Sequence, residues 1–205
     1  MDETKHMQVV RRMYEVRFPN MSCKGMTLQQ IRGLEGIRVR EAYRTASKLT
    51  GIKWKRRDYK QNDWDDTDQI NKAISYGNMI LYSLCEAAIV SLGYSTALGF
   101  VHTGKIRSFV YDVADLYKAE TTIPAAFESV KEGDGTLEAN VRRILRRYLQ
   151  KQKVMSRLPK DIAWVLGKTN AVEQSDSLTV GMLWDEGEIL VAGGRNYSER
   201  DDESW

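Results

Sequence analysis

At 205 residues with 31 Lys+Arg against 28 Asp+Glu, the chain is long enough for one sizeable core or two small domains and too charged for an integral membrane protein. Its 42% hydrophobic and 29% charged residues are ordinary globular composition. Two distant cysteines, Cys23 and Cys85, exclude a metal quartet and a disulfide framework and suit a reducing cytoplasm.

The net charge of +3 is unevenly divided, because residues 173–205 hold nine acids and two bases, a net of −7 that leaves +10 on the preceding residues. A basic body suits a polyanion, and an acidic tail implies a separate task.

In chain order, the mixed charge from Met1 to Lys5 passes directly into helical periodicity with no signal-peptide core. Val9, Val10, Met13, Tyr14, Val16 and Phe18 form one apolar face that ends at Pro19. Thr27 and Gln30 have capping-box spacing and open a helix running towards Thr50. Residues 54–66 are dense in charge and aromatics without either period. Thr67 or Asp68 then caps a segment from Ile70 to Leu92 that is apolar nearly all round, as a core helix is. The apolar stretch 79–101 is broken by Glu86, Gly93 and Gly99, so a buried helix and turn is expected there and no membrane span. Further helices are expected over 107–118, 122–131, 137–154 and 159–166, with all three prolines at or near helix boundaries. After Gly167 two β-prone runs, 178–184 and 188–192, flank Asp185, Glu186 and Gly187 as a hairpin would. The expected architecture is therefore all-α, with a helical domain over 1–170 and an acidic, mostly extended tail over 171–205.

Three groups of residues could carry chemistry. His102 lies in a glycine-flanked loop, followed by Asp112 and Asp115 at i, i+3 on one helix face among apolar neighbours. A carboxylate at a core margin must be paired or bound to a metal, so arginine partners such as Arg38 or Arg107 remain an alternative. Glu35 sits between Gly33 and Gly36 within a helix, where each glycine costs roughly 0.8–1 kcal/mol relative to alanine. Close helix packing and close approach of a phosphate or backbone to Glu35 both explain them. The segment Lys53 to Lys60 has five bases and two aromatics and continues to Trp64, a mixture that suits nucleic acid or an ordinary solvated surface. A basic stripe from Arg142 to Arg157 reads as a solvated face. A helical phosphohydrolase would want several histidines, and a tyrosine recombinase using Tyr59 or Tyr82 would want an Arg and His constellation; only His6 and His102 are available.

RGLEGIRVR at 32–40, NDWDDTDQIN at 62–71, GFVHTGK at 99–105 and SFVYDVADLYK at 108–118 resemble the catalytic helical domain of the CRISPR-associated protein one family, most closely its type I-E branch, over roughly residues 8–125. The resemblance implies a metal-dependent DNA endonuclease and integrase that inserts spacers into a CRISPR array by 3′-hydroxyl attack on a repeat phosphodiester. It implies Glu35, His102 and Asp115 as ligands of Mg or Mn, Asp112 as a supporting catalytic carboxylate, and Tyr59, Trp64, Tyr82 and Lys105 along the DNA path; the composition of the basic segment itself adds Lys55, Arg56 and Arg57 as expected DNA-binding bases. It further implies double-stranded and branched DNA substrates, a homodimer bridged by CRISPR-associated protein two, and an N-terminal β-sandwich lying outside this chain. The alternative is a non-catalytic helical DNA-binding or scaffolding fragment of the adaptation complex.

Overall fold

The computed structural model describes residues 3–21, 23, 25–57, 67–133, 135–168, 182–183 and 191–192. The chain divides into two compact units, Met1–Thr169 and Asn170–Trp205. The described residues of the first unit form seven α-helices and no strand: α1 Glu3–Arg17, α2 Leu28–Thr50, α3 Gln69–Ser91, α4 Ser108–Ala114, α5 Thr122–Glu132, α6 Leu137–Lys151 and α7 Val154–Val165. The second unit contains β1 Met182–Leu183 and β2 Val191–Ala192, paired antiparallel with Met182 opposite Ala192, within the two runs expected to form a hairpin.

Local chemistry sets most helix ends. Thr27 and Gln30 make the reciprocal capping box of α2, and the helix stops where Gly51, at φ 77°, donates its N–H to Ser47 in the left-handed conformation that glycine adopts without penalty. Asp68 caps α3 by accepting from Asn71 N at 2.7 Å. Although α3 is long and apolar enough by length and composition to cross a membrane, its Ile70, Ala73, Ile74, Leu81, Cys85 and Ile89 lie in the core, and it packs against α4, α5, α6 and α7. Cys23 and Cys85 are free and buried.

Two expectations are corrected. The helix expected over 107–118 is only Ser108–Ala114 and continues as turns through Thr121, so Asp115 lies at its C-cap. Pro159 stands inside α7, because Lys153, at φ 51°, ends the turn after α6 and the new helix starts immediately. The proline removes one N–H from α7, on a side where Met155, four residues earlier, faces solvent and water can satisfy the freed carbonyl.

A candidate carboxylate–imidazole site

Asp112 is the buried centre of the site. Its side chain is 0% exposed, and it accepts four hydrogen bonds: from the backbone N–H groups of Phe100 (2.8 Å), Val101 (3.1 Å) and His102 (2.8 Å), and from His102 Nδ1 (2.7 Å). Three successive amides converging on one carboxylate form an anion-binding concavity that ties the 99–102 loop to α4. His6 of α1 braces the same loop from outside, its Nε2 lying 2.8 Å from Phe100 O. With Nδ1 donating to Asp112, the tautomer leaves the Nε2 lone pair free. Nε2 is 4.0 Å from Asp115 Oδ2, at the end of the short helix. The Asp112 hydrogen bond raises the His102 pKa above its ordinary value; burial opposes this and the charges of Asp115 and Asp112 reinforce it.

The loop depends on Gly99. A Cβ there would stand 2.3 Å from His102 O and 3.1 Å from Ser108 Cβ, so alanine must displace backbone. Gly99→Ala is expected to lower the melting temperature, since the displaced carbonyl belongs to His102. A thermal melt checks this, and an unchanged variant would show the loop to be pliable.

Glu35 arrives from α2. Arg38 Nη1 is 3.3 Å from its Oε1, and Arg17 Nη1, at the end of α1, is 3.8 Å from the same oxygen. Its Oε2 is buried and has no hydrogen-bond partner among the described residues. Glu35 and Asp115 line one cavity of about 240 Å3, together with Arg38, Asn78 and Lys118. Lys118 donates to Asp115 Oδ1 at 2.6 Å and to Tyr82 OH at 2.8 Å. Burial pulls the Lys118 pKa down, but Asp115 and Tyr82 outweigh it and leave it above its ordinary value. Among the described residues, no three His, Cys, Asp or Glu side chains are close enough as they stand to hold one ion. Cationic side chains engage the carboxylates instead, Lys118 at Asp115 and the two arginines at Glu35. The donor set still fits a hard divalent cation: two carboxylates, one imidazole nitrogen with its proton fixed on the far side, and a buried carboxylate oxygen without a partner.

The arginine partners considered for the aspartates are not the ones found. Arg38 pairs with Glu35, and Arg107 pairs with Glu86 at 2.6 Å. Among the described residues, Gly33 and Gly36 are not explained by close packing, since nothing lies within 4 Å of a Cβ at either position. Tyr82 is at the site, bonded to Lys118 and edge-on to Tyr111 at 5.1 Å. Lys105 is exposed. Tyr59 and Trp64 lie outside the described residues.

In the basic segment, Lys55 and Arg56 are exposed, whereas Arg57 turns into α3, donating to Asn71 Oδ1 at 2.6 Å and to Ser75 Oγ at 2.8 Å. Trp54 is also turned inward, stacked on Tyr43 at 4.3 Å and packed against Phe127. The two kinds of base should separate experimentally. On the nucleic-acid expectation for this segment, replacing Lys55 and Arg56 with serine should flatten the salt dependence of duplex binding by up to ~0.9 log unit per lost phosphate contact. Arg57→Ser should instead lower thermal stability. A changed salt slope for Arg57→Ser at unchanged stability would reverse the division. On α6, Arg143 pairs with Glu132 and Arg147 with Glu128, part of the solvated face expected there.

Sequence reasoning missed Lys118, Arg17 and Asn78. Only Lys118 left a signal, its i, i+3 spacing from Asp115.

Fold and site define an all-α domain presenting a carboxylate–imidazole cluster beside exposed bases. The family model of CRISPR associated protein Cas1 matches residues 4–139, and the chain belongs to that family. The CRISPR-associated endonuclease Cas1 2 of Thermus thermophilus is 45% identical over 206 residues, which cover 98% of this chain and 63% of the relative. The Cas1 endonuclease of Clostridium sp. is 38% identical over 202 residues, 96% of this chain and 65% of the relative. The crystal structure of a TtCas1–DNA complex matches with a TM-score of 0.74 at 48% identity, over 81% of this chain and 62% of that one. The chain thus spans a little under two thirds of the length of these relatives.

Proposed function

We propose that this chain carries the divalent-cation site of a DNA endonuclease and integrase of CRISPR adaptation, with Glu35, His102 and Asp115 as ligands and Asp112 orienting the imidazole. The observation that carries the reading is the Asp112-held His102, its free nitrogen facing Asp115, which lines one cavity with Glu35, whose Oε2 has no hydrogen-bond partner among the described residues. The names of the Cas1 relatives and the DNA in the TtCas1 complex support it at family level. A bound Mg or Mn ion would lower the pKa of an attacking DNA 3′-hydroxyl or water and neutralise charge growing at phosphorus. Asp112 keeps the imidazole aligned, and Lys118, which donates to the Tyr82 hydroxyl, places a cation at the cavity. Duplex and branched DNA as substrates, a homodimer, a bridging CRISPR-associated protein two and a cytoplasmic location complete the proposal, as does assembly through the acidic tail.

A second reading, a non-catalytic DNA-binding scaffold, is favoured by the pairing of Glu35 and Asp115 with arginines and lysine. Titration with Mn2+ separates the two. The cation site predicts saturable binding lost in His102→Ala, together with Mn2+-dependent cleavage of branched DNA; a scaffold predicts neither.

The pH dependence follows from His102. Its folded-state pKa is raised, so the protonated ring contributes stability to the cation-free protein that is fully present below the unfolded value of about 6.5 and is lost as pH rises through the folded value. Metal competes for the neutral ring. Mn2+ affinity is therefore expected to rise with pH through the raised His102 pKa, and a flat profile across that range would remove His102 from the ligand set.

A further inference from the structure

Asn78 is a polar residue on a largely apolar helix. It follows Gly77 in α3, one turn after Ile74 and one turn before Tyr82. Its Oδ1 is buried without a hydrogen-bond partner among the described residues, a destabilising condition that a leucine at the same place would avoid. Glu35 Oε2 is also buried and unpartnered, and both residues line the cavity of about 240 Å3 that Asp115 and Lys118 share. Two residues on different helices, each with a buried unsatisfied acceptor, therefore line one small cavity. Neither has a donor among the described residues, while the space can hold water, at ~30 Å3 per molecule in the liquid.

The chemistry of such a pair suits hydrated cations. A hard divalent ion binds through few carboxylates and keeps several of its waters; those waters are strong donors in need of acceptors. A third carboxylate would add repulsion to Glu35 and Asp115, whereas an amide oxygen accepts without adding charge. We propose that Asn78 is a positioning residue of the cation site, its amide oxygen accepting from water carried by a divalent cation between Glu35 and Asp115. The inference rests on the cation reading above.

The test uses the full chain without DNA and Mn2+ as probe, with free Mn2+ followed by electron paramagnetic resonance. Asn78→Leu, which keeps the branching at Cγ and lacks the unpaired acceptor, is expected to melt no lower than the parent yet to bind Mn2+ at least tenfold more weakly, the scale for losing an outer hydrogen-bond partner of a metal site. Asn78→Ser, which keeps a short acceptor, should recover part of the loss and covers the case in which leucine disturbs packing. Parent-like Mn2+ affinity in both variants would overturn the proposal and leave Asn78 holding an ordinary buried water. Absence of saturable, His102-dependent binding in the parent itself would overturn the cation reading, and Asn78 would fall with it.

Discussion

Asp112→Asn is expected to be among the most damaging substitutions in the chain, although it changes one atom. Its carboxylate is fully buried and accepts from three backbone amides and an imidazole. An amide offers one oxygen and an NH2 group, so at least one of the four donors must face another donor. The cost should be roughly 1–3 kcal/mol for each buried donor left unsatisfied. On the proposed function, DNA processing should vanish with it, because the 99–102 loop is what presents His102. Chemical denaturation and cleavage assays check both. A fully active and stable Asp112→Asn protein would mean that the loop is held elsewhere.

His102→Ala and Asp115→Asn should have the other large effect, with a different signature. Cleavage and strand transfer should fall by more than the ~10–100-fold that an outer hydrogen-bond partner of a metal site contributes, while the fold survives. Their stabilities should differ from each other. A cluster of like charges would be relieved by substitution, but Asp115 is paired: Lys118 lies 2.6 Å from its Oδ1. Asp115→Asn is thus expected to lose roughly 1.5–3 kcal/mol, typical of a hydrogen bond to a charged group. His102 is half-exposed, and alanine leaves Asp112 its three amides. Equal destabilisation of the two variants would contradict this division.

Much of the helical framework was legible because its signals are local. Thr27 with Gln30, Asp68, and the glycine after Thr50 act through neighbours a few residues away, and the boundaries of α2 and α3 follow from them. The errors fall where tertiary contacts decide. Periodicity continues to Lys118, but α4 stops at Ala114, and the following turns carry Asp115 and Lys118 to the cavity. Spacing brought out the Asp112 and Asp115 pair, and the family resemblance supplied their roles beside Glu35 and His102. It could not reveal that Asp112 is consumed by the loop while Asp115 faces the cavity, since that depends on which side of a short helix meets residues 100–102. Arg17, Lys118 and Asn78 acquire their roles only when α1, α2, α3 and the turns after α4 meet. Trp54 shows the converse. Its basic neighbours suggested a stacking surface for bases, yet Tyr43 and Phe127 take its ring into the core.

The central claim is that Glu35, His102 and Asp115 hold one cation. An anomalous-difference map from crystals of the chain grown with Mn2+ tests it most directly. One peak bonded to Glu35 Oε2, His102 Nε2 and an Asp115 oxygen, with Lys118 displaced from Asp115, is the expected result. No peak there, with the Lys118–Asp115 pair intact at saturating Mn2+, would contradict the account.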